Sequence, residues 1–301
     1  MKAPFRYFGG KSKVASLVWS RLDHNTHHYF EPFAGSLAVL LGRPQASRKS
    51  TVETVNDMDG MVVNFFRSVK HDPDTLVKYA YDPVSSVDMW ARMLECKNAN
   101  ADIVGRMIAD PEFCDPKLAG YWCYAVSTCI MGAYANMGCW HRDGLKGIER
   151  RTASGTGISM SKIGANGHVN SKYDWRKLYQ RLQSVRIQCG DWRKCIMPSV
   201  VEGSDSAIFL DPPYTIEGRA KTYANDSKDI AAQVLRWSIE ASEKYPKLRI
   251  AYCGYDDMPF PKDWECIAWK SGGANRGKAH ASNTKRERIY FSPSCMTHRF
   301  K

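Results

Sequence analysis

Apolar and polar positions along this chain follow two periods that take turns. Short apolar runs predict strands at His28 to Glu31, at Thr51-Val52-Glu53-Thr54-Val55-Asn56-Asp57, at Val185-Arg186-Ile187-Gln188 and at Ser206-Ala207-Ile208-Phe209-Leu210. Three more follow at Leu248 to Cys253, Cys266 to Lys270 and Glu287 to Ser292. Between them, apolar residues recur at helical spacing: Val14, Leu17, Val18 and Leu22; a second helix after Ser36; Met61-Val62-Val63 with Phe65 and Phe66; and Ile230 to Lys244, stopped by Pro246. Seven strands alternating with helices predict an α/β fold, a doubly wound and mainly parallel sheet with helices on both faces.

The alternation breaks once. More than a hundred residues separate the second strand from the third, far more than a connection needs, which predicts an insertion. The chain is therefore divided into a catalytic domain, 1–70 with 180–301, and an inserted domain, 71–179. The first half of the insertion carries apolar stripes at Val87 to Cys96 and Gly120 to Met131, read as helical core. In its second half, Trp140 to Lys172, six glycines stand among Arg142, Lys146, Arg150, Arg151 and Lys162. That composition buries little apolar surface and suits a negatively charged partner.

Charge changes the picture further. The 301 residues hold 43 Lys and Arg against 31 Asp and Glu, a net +12, which favours a polyanion through counterion release. No stretch approaches the ~20 apolar residues of a membrane-spanning helix, and the start of the chain does not read as a signal peptide. The ten cysteines form no Cys-x-x-Cys pair, so no zinc knuckle is expected, and they read as buried or free thiols of a reducing cytosol.

The richest chemistry stands where the strand ending at Leu210 stops, in Asp211-Pro212-Pro213-Tyr214. Open α/β sheets place ligands at the carboxyl ends of their strands. A nucleobase amino group is a poor nucleophile because its lone pair is delocalised into the ring. Asp211 offers carboxylate oxygens and Pro212 an aimed carbonyl to draw such an amine toward tetrahedral geometry, with Pro213 shaping the turn. Tyr214 offers a flat face for an unstacked base.

Other segments fit the same plan. Arg6-Tyr7-Phe8-Gly9-Gly10-Lys11 precedes the first helix; Glu31-Pro32-Phe33-Ala34-Gly35-Ser36 leaves the first strand through a small-residue turn; Asp57 ends the second strand about 20 residues later, where a carboxylate meets ribose hydroxyls. With Cys189-Gly190-Asp191-Trp192, Leu248 to Tyr255 and Arg286 to Pro293, these blocks, in this order, resemble the Dam-like adenine-N6 DNA methyltransferases, in particular their phage-type members.

The resemblance covers most of the chain and implies a seven-stranded Rossmann-like sheet whose last strand is antiparallel. It implies S-adenosylmethionine as methyl donor and double-stranded DNA as partner, with no metal. Tyr7, Lys11, Asp57 and Asp211 match the family's donor contacts, Gly9, Glu31, Phe33 and Gly35 lie in the loops beside them, and Asp191 reaches toward the donor's adenine. Asp211, Pro212, Pro213 and Tyr214 match the catalytic motif. The insertion matches the target-recognition domain, with Arg142, Lys146, Arg150, Arg151 and Lys162 toward DNA and Asn136 and Asn166 toward adenine edges. The expected setting is the cytoplasm of a prokaryote or a phage-infected host.

One position departs from the family. Many members carry Gly where this chain has Leu37; a bulkier residue there stands toward the methionine end of the donor but is read as tolerated, since phage-type relatives vary at this turn, with at most a mild effect expected on donor affinity. Other readings stay open. A cytosine-N4 methyltransferase uses the same sheet and more usually carries Ser in place of Asp211. A glutamine or RNA amine methyltransferase is a further alternative, although the glutamine enzymes usually carry Asn there and lack the large insertion. A DNA-binding protein with a decayed donor site has only Leu37 in its favour.

Overall fold

The structure is a computed structural model that describes residues 1–5, 10–45, 50–81, 86–128, 173–213, 230–269 and 286–296. Its strands are β1 His28–Glu31, β2 Val52–Asp57, β3 Val185–Cys189, β4 Ser206–Leu210, β5 Arg249–Tyr255, β6 Glu265–Ala268 and β7 Glu287–Phe291. They form one seven-stranded sheet in the order β3-β2-β1-β4-β5-β7-β6. All pairings are parallel except those of β7, which runs antiparallel to both β5 and β6. The mixed, doubly wound sheet expected from the alternation is present.

The described helices are α1 Ala15–Leu22, α2 Ala38–Leu41, α3 Gly60–His71, α4 Pro73–Ala80, α5 Ser86–Ala109, α6 Pro116–Thr128, α7 Trp175–Leu182, α8 Trp192–Cys195, α9 Pro198–Gly203 and α10 Ile230–Lys244. They cover both sheet faces, so the central strand β4 is buried along its whole length. Successive side chains of a strand point to opposite faces. Ala207 and Phe209 accordingly join one apolar core with Phe65 of α3, and Ile208 and Leu210 join the other with Val234 of α10.

The helices of the interval between β2 and β3 pack into the first of these cores. Leu76 of α4, Ile103 of α5, Trp122 of α6 and Leu178 of α7 are fully or almost fully buried there beside α3. Arg67 of α3 reinforces the join from inside. Its buried guanidinium donates to the carbonyls of Ile187 at 3.1 Å, Met107 at 3.3 Å, Asp110 at 3.0 Å and Phe113 at 3.2 Å, tying β3 to the C-terminal end of α5. A cation suits that place, because the last carbonyls of a helix carry partial negative charge and no intrahelical partner.

Three elements differ from the pattern-based reading. The helix after Ser36 is a single turn, Ala38–Leu41, since Leu37 enters it from the left-handed region with φ 54° and Gly42 closes it. Helix α5 runs well beyond Cys96, to Ala109. Helix α7 was not foreseen, although Leu178 and Leu182 are spaced for it and Asp174 caps it by accepting from the Lys177 N–H.

Strand order positions the site. From β1 the chain proceeds outward through β2 to β3, then returns to β4 on the other side of β1 and moves outward through β5. The loops leaving β1 and β4 therefore diverge, and a crevice opens at their carboxyl ends.

Candidate active site

Asp211 stands directly after β4, at the lip of that crevice. Lys11, just before α1, places its Nζ 2.6 Å from Asp211 Oδ2, with side chains 6% and 22% exposed. The same ammonium lies 5.6 Å from the centre of the Trp269 ring. A lysine so deeply buried needs such partners, because little water reaches it. Pro212 is buried behind Asp211, and Pro213 faces the crevice.

Glu31 closes β1, also facing the crevice, and is 2% exposed. Its Oε2 accepts the Tyr29 hydroxyl at 2.9 Å and the Leu40 N–H at 3.1 Å. Burial pushes its carboxyl up to about 8, the two hydrogen bonds pull the other way, and the charge of Asp211 adds to the rise. Beyond it the turn bends through Gly35, with φ 47°.

Leu37 follows at the end of that turn. Its side chain is fully buried in the core with Val18 and Val39 and is not among the residues lining the pocket. The cost of having Leu at this position is therefore backbone strain at φ 54° rather than pressure on the donor. Residues with a Cβ resist that conformation.

Asp57 ends β2. Its carboxylate accepts the Gly35 N–H at 2.8 Å and the Asp59 N–H at 2.9 Å. Burial first, and then the neighbouring Asp59 charge, raise its carboxyl to about 7. Asp59 caps α3 by accepting the Met61 N–H at 2.9 Å, and burial pushes its carboxyl up as well. Beside them the buried Asn56 donates to the carbonyls of Pro32 at 3.1 Å and Gly190 at 3.0 Å.

The opposite wall rises after β3. Asp191 caps α8, accepting the Arg193 N–H at 2.9 Å, and pairs with the Arg193 guanidinium at 2.8 Å. Arg193 also donates to Gln233 on α10. The Trp192 ring lies 6.2 Å from Phe33 and 5.6 Å from Trp237, centre to centre. Its Nε1–H is buried and has no hydrogen-bond partner among the described residues. An orphaned donor of this kind is costly without a ligand or water to meet it.

The fold thus brings Lys11, Glu31, Phe33, Gly35, Asp57, Asp191, Asp211 and Pro213 to one pocket, from five separate stretches of chain. Asn56, Asp59 and Trp192 also line it and carried no site assignment in the sequence reading, although Asn56 and Trp192 stand inside its motif blocks. Tyr7, Gly9, Tyr214, Asn136 and Asn166, and the basic set Arg142, Lys146, Arg150, Arg151 and Lys162, lie outside the described residues. Among the described residues no group of three or more His, Cys, Asp or Glu is placed to hold a metal ion, and no helix is long and apolar enough to cross a membrane.

A comparison with curated proteins finds no match. Residues 7–86, the stretch that supplies Lys11, the β1 loop and the end of β2, are similar to the family model described as D12 class N6 adenine-specific DNA methyltransferase.

Proposed function

We propose that this protein is a site-specific DNA methyltransferase that moves a methyl group from S-adenosylmethionine to the N6 atom of an adenine turned out of its duplex. The observation that carries the reading is the junction of Lys11 and Asp211 in the same pocket as Glu31 and Asp57, at the point where the strand order reverses.

The pocket's donor and acceptor groups suit the proposed methyl donor. The carboxyl groups of Glu31, Asp57 and Asp59 match an ammonium and ribose hydroxyls, and the flat side chains of Phe33 and Trp192 match a purine. When bound, the donor supplies an electrophilic methyl on a sulfonium. Asp57 would hold the ribose, Gly35 would let the backbone come close, and Asp191 would lie toward the adenine.

On the acceptor side, Asp211 and the Pro212 carbonyl would accept the two N6 hydrogens. Positive charge growing on nitrogen then meets negative charge and a dipole already in place. Tyr214 would receive the face of the base. Much of the acceleration would come from holding acceptor and donor in line, a contribution that can reach several kcal/mol. Arg142, Lys146, Arg150, Arg151 and Lys162, in the insertion 71–179, would meet the DNA.

Transfer of labelled methyl from S-adenosylmethionine to defined duplexes tests the reading. Label is expected in adenine of A·T-containing duplexes and absent from G·C polymer. Label confined to cytosine makes the enzyme an N4 methyltransferase; donor that does not bind at all makes the pocket a decayed one.

A further inference from the structure

Strand β2 ends between two loops, one leaving β1 after Glu31 and one leaving β3 after Cys189. A single side chain spans the gap. Asn56 spends both amide hydrogens on it, one on the Pro32 carbonyl at 3.1 Å and one on the Gly190 carbonyl at 3.0 Å. The backbone adds parallel ties: the Ala34 N–H donates to Asn56 O at 2.9 Å, and the Gly190 N–H to Asp57 O at 3.1 Å.

Gly190 has φ 132°, a conformation that residues with a side chain rarely adopt. Glycine has little intrinsic preference to hold it, so the pins on its N–H and on its carbonyl fix where the chain turns toward Asp191. Asn56 is 2% exposed and borders the pocket itself. The site needs a short, neutral side chain with two donors. An aliphatic residue leaves two carbonyls without their partner, and an aspartate sets its oxygens against theirs.

We propose that Asn56 is a positioning residue for the methyl donor, tying the loop of Phe33 and Gly35 to the loop of Asp191 and Trp192 so that the two walls stand the right distance apart. The inference rests on the donor-binding reading above. Asn56 acts through these loops and sits on β2, with β1 between it and β4, the strand that leads into Asp211. It therefore governs how well the donor is held, while transfer from a saturated enzyme proceeds as before.

The test uses the full chain as wild type, Asn56→Asp and Asn56→Ser, with calorimetric titration of S-adenosylmethionine and steady-state methylation of a substrate duplex. Asn56→Asp should raise donor Kd and donor KM together by roughly tenfold to a hundredfold. Asn56→Ser, which keeps one donor, should raise them less; kcat at saturating donor and KM for DNA should stay within about twofold of wild type. Should Asn56→Asp fail to fold, Asn56→Ser carries the same comparison. A variant that melts earlier but binds donor with unchanged Kd overturns the proposal and leaves Asn56 a structural residue. So does a fall in kcat with donor KM unchanged. Wild-type protein that does not bind S-adenosylmethionine removes the donor reading itself, and this inference with it.

Discussion

Lys11 and Asp211 stand 200 residues apart in sequence and form an ion pair of 2.6 Å inside the crevice. The family-matched N-terminal stretch and the strand end bearing the Asp-Pro-Pro-Tyr motif therefore meet at one bond. On the proposed reading the pair would give Lys11 a second role besides donor binding, that of orienting the carboxylate that receives the amine.

Replacing Lys11 by Met keeps the aliphatic stem and removes the charge. Asp211 then faces a part-buried pocket without its counter-ion, and methyl transfer should slow by the equivalent of about 2 to 4 kcal/mol. Single-turnover transfer with donor and DNA both saturating reads this directly. A rate within twofold of wild type would mean the pair is not used in catalysis.

Three raised carboxyls, Glu31, Asp57 and Asp59, give the protein an unusual pH response. Glu31 holds its proton up to about 8 and Asp57 up to about 7. In the unfolded chain such groups ionise near about 4. Between these limits the folded state binds more protons than the unfolded one, so the stability they supply is complete below about pH 4 and declines as pH rises toward 8. Donor affinity should move the opposite way, rising through about pH 7 as Asp57 becomes the better acceptor for ribose hydroxyls. Thermal melts and titrations of the unliganded protein from pH 5 to 8 check both trends. Glu31→Gln should flatten the stability slope, and a slope equal to wild type would contradict the assignment to Glu31.

Leu37→Gly sets two effects against each other. Relief of the left-handed backbone favours glycine by about 1 to 2 kcal/mol. Loss of a fully buried leucine costs about 3 to 5 kcal/mol. The variant should therefore be less stable by roughly 1 to 4 kcal/mol on denaturant unfolding, with donor affinity unchanged. A gain in donor affinity would revive the idea that Leu37 presses on the ligand.

Arg67→Ala removes the donor shared by four carbonyls at the junction of α3, α5 and β3. It should cost about 2 to 4 kcal/mol of stability, and amides around Met107 to Phe113 should exchange faster with solvent. Unchanged exchange there would show that apolar packing alone holds the end of α5.

Neutralising Arg150 and Arg151 should weaken binding to any duplex and lower the slope of log affinity against log salt by about one to two. Affinity that does not vary between low and physiological salt would exclude phosphate contact as the use of the basic surplus.

How much of this was legible in the chain differs from element to element. The strands were readable because β4 and β5 are short runs that are mostly apolar on both faces, and β1 and β2 are short runs rich in aromatic or β-branched residues. Asp211, Asp57 and Glu31 were readable because each ends such a run, and strand ends are where ligands meet open sheets. The sequence by itself therefore determined the fold class and the residues that carry polar chemistry. It did not reveal that Leu37 points into the core, since the left-handed φ that turns it there comes from the packing of α2 against α1 and β1. Nor did it single out Asn56, whose partners Pro32 and Gly190 are 24 and 134 residues away. Which hydrogen-bond acceptors a buried amide finds, and which lysine neutralises which carboxylate, depends on distances between segments remote in sequence. Only closure of the sheet in the order β3-β2-β1-β4 brings those segments together.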